Sequence, residues 1–193
     1  MYGNIINNSQ IQILYQIKEI VIEPFDESKL KLAHYPLTAG AALWAGDIAT
    51  SGTRKFELRS DFRNGEDYEF EPNEYAVIEI NEFIKIGSGI VGHFIPSSIL
   101  IEQGFGLTAG KIDPGYGSLG GKRQQIRFGI KNLRGDKNHL IANQNVAHIY
   151  FVDLRGLDNL EPSLTKEEIK FLMERYPRLV RARDDGVDYG DGT

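Results

Sequence analysis

The sequence predicts a mainly β protein built as a sandwich or a barrel. Short runs of alternating apolar and polar residues fill the middle of the chain, as in Ile126, Phe128 and Ile130 with Arg127 and Lys131 between them. Gly, Asn, Asp and Pro separate these runs at the intervals that are usual in all-β folds. Since no repeat and no domain-scale linker interrupts the 193 residues, we expect one domain.

The first predicted element is an N-terminal helix that precedes the strands. Ser9 is in a position to cap it, and Gln12 stands three residues later, as in a capping box. The apolar face of this helix is predicted to consist of Ile13, Ile17 and Ile20, with Leu14 beside them.

Five stretches are then predicted to be strands: Phe56–Arg59, Tyr75–Phe83, Ile90–Ile95, Ile126–Lys131 and Val146–Val152. The last is almost continuously apolar, which is typical of a strand buried on both faces. A C-terminal helix is predicted to begin at Thr165, with Glu168 as its capping-box partner. The acidic, glycine-rich tail from Arg183 to Thr193 is predicted to be flexible.

Composition excludes several classes of function. The formal net charge of -5 gives no electrostatic basis for binding polymeric nucleic acid. The absence of cysteine excludes disulfides, thiolate nucleophiles and the zinc site of the zinc-dependent nucleobase deaminases. The four histidines have no metal-ligand spacing, so no metal site is predicted. No apolar run approaches the roughly 20 residues that span a membrane, and we expect a soluble, cytoplasmic protein.

The most informative segment runs from Thr108 to Tyr116. Within it, Asp113-Pro114-Gly115-Tyr116 is typical of a type II turn, because proline fixes φ at the second position and glycine supplies a positive φ at the third. An isolated Asp-Pro-Gly sequence indicates nothing more than a turn.

The surroundings of this turn are more specific, because other motif residues stand around it in a fixed order. These are Pro72 and Glu74, Glu82, Gly92, Pro96-Ser97-Ser98, Gly104, Ala109, Asn132 and Val146–Phe151. With them, the chain resembles the dCTP deaminase/dUTPase superfamily over roughly residues 9 to 155.

The resemblance implies a distorted β-barrel or jelly-roll-like subunit that forms a homotrimer with active sites at the subunit interfaces. It implies deoxypyrimidine nucleoside triphosphates as substrates, carrying Mg²⁺ on their phosphates. The main chain of Ala109–Asp113 would read the pyrimidine, and Tyr116 would pack against the sugar. Asp113 would orient the attacking water, as a general base must. Thr108, Gly110 and Ile112 are candidate substrate-binding residues in the same segment.

Several positions depart from the pattern of this superfamily. Gly129 stands where the resemblance calls for the glutamate that activates water in deamination, and glycine cannot act as a base. Pro96, and either Ile101 or Glu102, stand where phosphate-binding arginines are expected. His148 replaces a glutamine, and within an apolar strand it is interpreted as a packed or hydrogen-bonded residue rather than a catalytic one. The early Asp-x-Arg motif is absent between positions 39 and 47.

Lys111, Lys122 and Arg123 are the nearby cations that could replace the missing arginines. The segment from 120 to 123 is either a phosphate-binding loop or only a mobile loop, since it lacks the spacing of a P-loop. Ser97 and Ser98 either contact phosphate or simply begin a strand or turn.

Two hypotheses of different classes follow. In the first, the protein is an enzyme that uses Asp113 to activate water on a deoxypyrimidine nucleoside triphosphate. In the second, it is a nucleotide-sensing or trimeric structural module that has kept the fold without the catalysis.

Overall fold

The structure is a computed structural model that describes residues 4–48, 54–119 and 122–155, together with positions 167, 170 and 174. The described helices are α1 (Asn8–Gln16) and α2 (Ser98–Glu102), with 3₁₀ turns at Glu27–Lys29 and Phe62–Asn64. The described strands are β1 (Asn4–Ile5), β2 (Ile20–Glu23), β3 (Tyr35–Ile48), β4 (Arg54–Ser60), β5 (Tyr68–Phe70), β6 (Tyr75–Ile80), β7 (Phe83–Ile86), β8 (Ile90–Pro96), β9 (Phe105–Thr108), β10 (Lys111–Ile112), β11 (Ser118–Leu119), β12 (Lys122–Arg123), β13 (Arg127–Asn132), β14 (Asn138–Leu140) and β15 (Asn145–Asp153). Within these ranges no helix is long and apolar enough to cross a bilayer.

One curled antiparallel sheet dominates the fold. Its strands follow the order β10-β8-β15-β3-β6-β13-β9, with β1 added to β15 and β4 added to β3. The two strands at the ends of this path, β9 and β10, are joined by only Ala109 and Gly110. A sheet whose end strands are connected by two residues must curl back on itself, so the predicted mainly β, distorted-barrel fold is confirmed.

Side-chain alternation explains why the strands adopt this arrangement. On β13, Phe128 and Ile130 are buried while Arg127 and Lys131 are exposed, as the sequence pattern predicts. The buried side chains meet others from nearly every strand in a single core that includes Tyr35, Phe70 and Phe151. Each fully buried large apolar side chain contributes about 1.5–3 kcal/mol to stability, so this core fixes the curl of the sheet.

The N-terminal helix differs from its prediction. Its cap is Asn7 rather than Ser9: the Asn7 side chain accepts from the Gln10 backbone N–H, and the Gln10 side chain accepts from the Asn7 N–H, both at 3.0 Å. Asn caps a helix as well as Ser does, so residue type alone did not fix the start. The buried face was also wrong, because the buried side chains of α1 are Ile11 and Leu14. By contrast, Ile13 and Ile17 are 57% and 62% exposed.

Two strand predictions also need correction. The stretch from 75 to 83 is not one strand but the end-to-end pair β6 and β7, because the chain turns at Asn81 and Glu82. There the buried Glu82 carboxylate accepts hydrogen bonds from the Thr38 N–H at 2.9 Å and the Thr38 hydroxyl at 2.8 Å. Strand β15 is not buried on both faces either, since Ala147 and Ile149 are buried while His148 and Tyr150 are only partly covered.

The C-terminal predictions fall mostly outside the described residues. Glu167, Lys170 and Glu174 are helical, and Lys170 lies 4.0 Å from Glu174, as in an i,i+4 pair. The rest of the helix predicted from Thr165 and the tail from Arg183 to Thr193 lie outside the described residues.

Candidate functional site

The connection between β9 and β10 forms the edge of a pocket of about 530 Å³. Strand β9 pairs with β13, whereas β10 pairs with β8, so Ala109 and Gly110 bridge two parts of the curled sheet. Strands β9 and β10 therefore do not pair with each other as a two-stranded hairpin. Among the described residues, the Gly110 carbonyl accepts from the Phe94 N–H at 3.2 Å, while the N–H groups of Ala109 and Gly110 have no backbone partner.

Six of the predicted substrate-binding residues line this pocket together. They are Thr108, Ala109, Gly110, Ile112, Tyr116 and Arg123. Ile112 is buried, whereas Tyr116 is half exposed. The pocket thus combines unpaired backbone N–H groups with an aromatic side chain, which is the usual composition of a site for a planar polar ligand.

The turn after the pocket has the predicted geometry. The Tyr116 N–H donates to the Asp113 carbonyl at 3.2 Å, and Gly115 has a φ of +99°. Gly117 follows with a φ of +86°, and it packs so closely against β7 that an added Cβ would press on the Ile84 carbonyl oxygen. The turn is thereby fixed against the core, and with it the position of Tyr116.

Asp113 lies at the end of β10, beside the pocket and not among the residues that line it. Its carboxylate forms an ion pair with Lys111, whose Nζ donates to both carboxylate oxygens. Both side chains are about half exposed, at 55% for Lys111 and 41% for Asp113, so solvent weakens this pair. The carboxylate is consequently accessible, but it already has a cation as its partner.

Gly129 marks the largest departure from the expected chemistry, and the structure shows what occupies its surroundings. On β13 it pairs with Thr108 of β9 and Val77 of β6. A Cβ at this position would lie within 3.0 Å of the Tyr75 hydroxyl and of the Thr108 hydroxyl. The space in which a side chain at this position would begin is therefore occupied.

Ser97 and Ser98 lie away from the pocket, at the start of α2. Ser97 is buried; its hydroxyl donates to the Asn145 carbonyl at 2.7 Å and accepts from the Leu100 N–H at 3.1 Å. This is the bonding of a helix N-cap. The Ser98 side chain is exposed, and neither serine lines the pocket of this chain.

A charged network at the pocket wall was missed by sequence reasoning. Glu79 on β6 accepts from Arg63 Nη2 at 2.7 Å through one oxygen and from Arg127 Nη2 and Nε at 2.7 and 3.0 Å through the other. Burial raises the pKa of Glu79, but the bonds from Arg63 and Arg127 outweigh burial and hold this pKa below its usual range. Glu79 thus stays ionised and is a poor base.

The register of the sheet was the signal that could have revealed this network. Glu79 pairs directly with Arg127 on one side and with Ala41 on the other. Opposite charges directly across an antiparallel pair attract each other.

Arg123 lines the pocket from the side of β12. Its guanidinium lies 4.0 Å from the centre of the Phe83 ring and forms a 2.8 Å ion pair with Glu23. Lys122 belongs to the same strand, but its side chain lies outside the described part of the structure, as do Gly120 and Gly121.

His148 packs as the sequence interpretation predicts. Its ring lies 4.5 Å from that of His34, and its Nε2 is 3.0 Å from Asn145 Nδ2. Burial lowers the pKa of His148, and the nearby His34 and Lys31 lower it further. The ring is held neutral within the fold and does not line the pocket.

Comparisons with known proteins agree with this geometry. A family model described as dCTP deaminase-like matches residues 5–154. The dCTP deaminase of Thermococcus kodakarensis is 25% identical over 139 residues, which cover 72% of this chain and 79% of that protein.

Two solved structures are also similar to this chain. The 2'-deoxycytidine 5'-triphosphate deaminase of Agrobacterium tumefaciens has a TM-score of 0.60 at 16% identity, over 91% of this chain and 54% of that one. The dUTPase of Streptococcus mutans has a TM-score of 0.48 at 16% identity, over 70% of this chain and 94% of that one.

The Agrobacterium match supports the fold, and this chain spans only about half the length of that structure. The family model, by contrast, covers the whole described sheet from β1 to β15. The resemblance seen in the sequence is confirmed, and the chain belongs to the dCTP deaminase-like family.

Proposed function

We propose that this protein binds a deoxypyrimidine nucleoside triphosphate in the pocket beside Ala109 and Gly110 and hydrolyses it with Asp113. The observation that carries the proposal is the pair of backbone N–H groups at Ala109 and Gly110, which lack backbone partners among the described residues. Uracil offers O2 and O4 as hydrogen-bond acceptors and cytosine offers O2 and N3, so these N–H groups are suitable donors to either base. Tyr116 would lie against the sugar at the mouth of the pocket.

In the proposed reaction, Asp113 orients a water molecule that attacks the α-phosphorus of the ligand. A P–O bond forms to the water, the bond to the β-phosphate breaks, and pyrophosphate leaves. Asp113 takes up the proton, which requires that Lys111 release the carboxylate or share it. Deamination is not proposed, because Gly129 supplies no carboxylate.

Magnesium would enter with the phosphates of the ligand. The two carboxylates nearest the described pocket, Glu79 and Asp113, are both paired with cations, so the residues present do not form a Mg²⁺ site of their own. We further propose a homotrimer, which would bring residues such as Ser98 of one subunit to the pocket of another.

A second candidate is a binding module without turnover. Two observations favour it: the Asp113 carboxylate is occupied by Lys111, and the position of Gly129 is filled by the Tyr75 hydroxyl. In that case the pocket would bind the nucleotide without changing it.

The test is release of pyrophosphate and ammonia by the purified protein with Mg²⁺ and either dUTP or dCTP. Pyrophosphate that disappears in Asp113→Asn but persists in Asp136→Asn supports hydrolysis; Asp136 is a matched control paired with Arg134. Ammonia from dCTP would contradict the argument from Gly129. Tight binding with no product supports the module instead, and no binding of either nucleotide excludes both candidates.

A further inference from the structure

The network around Glu79 gives the pocket an uneven distribution of charge. Glu79 bridges Arg63 and Arg127, and we call these three residues the charge triad. Arg63 also lies 4.0 Å from Asp61, so its charge is shared between two carboxylates. Three cations line the described pocket, and two of them, Lys111 and Arg123, each have a carboxylate partner of their own. Arg127 is the third, and its partner Glu79 is shared with Arg63, so Arg127 is the least neutralised of the three.

Arg127 keeps hydrogen-bonding capacity beyond its bonds to Glu79. Its Nε and Nη2 donate to the same Glu79 oxygen, while Nη1 has no hydrogen-bond partner among the described residues. Its guanidinium carbon lies 4.6 Å from the centre of the Phe56 ring, which fixes the plane of the group. The side chain is 41% exposed, so a ligand can reach it.

A guanidinium whose orientation is fixed and which has N–H donors without a partner matches the geometry of a phosphate group. Glu79 keeps Arg127 in place, and Arg63 donates to the second Glu79 oxygen, so that the Glu79 carboxylate is shared between two guanidinium groups. Arg127 and the backbone of Ala109 line the same pocket. A ligand bound at Ala109 can therefore extend an anionic group toward the triad.

We propose that Arg127 is an anion-binding residue for a phosphate group of the ligand, with Glu79 and Arg63 as positioning residues. That the phosphate belongs to a nucleotide rests on the proposed function, whereas the anion site itself does not. The triad would then supply the cation that the chain lacks at Pro96 and at Ile101 or Glu102.

The experiment is calorimetric titration of the full chain with inorganic tripolyphosphate, dUTP, dCTP and deoxyuridine. We expect Arg127→Gln to weaken binding of tripolyphosphate and of the nucleotides by about tenfold or more, the size expected for a lost charge-assisted hydrogen bond. Binding of deoxyuridine, which has no phosphate, should not change. Arg127→Lys keeps the positive charge but not the planar guanidinium with its paired N–H donors, so it should lose less affinity. It serves as the second variant if Arg127→Gln does not fold.

Arg134→Gln is the matched control, because Arg134 forms a similar ion pair with Asp136 beyond the opposite end of β13. Unchanged affinity of Arg127→Gln for both tripolyphosphate and nucleotides would overturn the proposal, as would a wild-type protein that binds no phosphate compound. If tripolyphosphate binds through Arg127 but neither nucleotide binds more tightly than it does, the anion site stands and the nucleotide function fails.

Discussion

The Tyr75 hydroxyl lies in the space where a side chain at Gly129 would begin. Tyr75 is on β6 and Gly129 on the adjacent β13, two positions out of direct register, so the tyrosine ring leans along the sheet to cover the glycine. The ring thereby occupies the space beside the position where the resemblance calls for a deaminating glutamate. Tyr75 and Gly129 are thus coupled, and a change at one has consequences for the other.

We expect Gly129→Ala to lower the free energy of unfolding by about 1–3 kcal/mol, because the new methyl group overpacks against Tyr75 and Thr108. Tyr75 is 45% exposed and can be truncated at little cost, so Tyr75→Ala should recover part of the loss. Urea unfolding of both single variants and the double variant measures this coupling. If the two substitutions have additive effects on the free energy of unfolding, the contact between Tyr75 and the side chain at position 129 does not contribute to stability.

Gly115 and Gly117 form a matched pair for testing the turn beside the pocket. Both have a positive φ, so alanine at either position costs about 1 kcal/mol of backbone strain. At Gly115 the added methyl meets open space, whereas at Gly117 it meets the Ile84 carbonyl oxygen. We therefore expect Gly117→Ala to destabilise the protein more than Gly115→Ala in thermal unfolding. Equal losses of stability in the two variants would mean that β7 shifts to accommodate the methyl group at position 117.

Asn132 holds together the loop that follows β13. The side chain is fully buried: its Nδ2 donates to the Glu71 and Asp136 carbonyls at 3.0 and 2.9 Å, and its Oδ1 accepts from the Arg134 N–H at 3.0 Å. We expect Asn132→Ala to lower the free energy of unfolding by about 2–4 kcal/mol, since these groups lose their partner. Denaturant unfolding measures this loss, with the exposed neighbour Lys131→Ala as the control. A loss no larger than that of the control would refute the role.

The pair of His34 and His148 should make the protein sensitive to acid. Burial lowers the pKa of both rings below the ordinary value of 6.5, so the unfolded chain takes up protons first as the pH falls. Stability is therefore retained above pH 6.5 and lost as the pH falls below it toward the folded pKa. In His148→Gln the loss between neutral pH and about pH 5 should be smaller, as measured by urea unfolding at several pH values. An identical slope in wild type and variant would contradict this.

Much of the sheet could be predicted from the sequence because its strands alternate. The alternation on β13 and the turn at Gly115 depend on neighbouring residues only, and both predictions are confirmed. The cap of α1 was wrong because Asn7 and Ser9 are equally good caps, and only packing selects between them. The break at Glu82 depends on Thr38, 44 residues away, which no local pattern reveals.

The candidate site also contains features that depend on neighbouring residues and features that depend on residues far apart in the chain. Thr108–Ile112 and Tyr116 are close together in the sequence and line one pocket, so their proximity could be predicted from the sequence. The charge triad combines residues from a 3₁₀ turn and two strands, and it depends on the register of β6 and β13. Register is set by the whole sheet, so Glu79 and Arg127 looked like ordinary surface residues in the sequence.

The two-residue link between β9 and β10 bears on how such a protein can change over generations. Replacing Ala109 alters a side chain but leaves its amide group where the closure of the sheet puts it. A catalytic side chain, such as the glutamate that the resemblance calls for at position 129, is not maintained in this way, because the fold forms without it. A lineage can therefore lose catalytic side chains one at a time while the amide groups of this link keep their position, since the closure of the sheet holds them there.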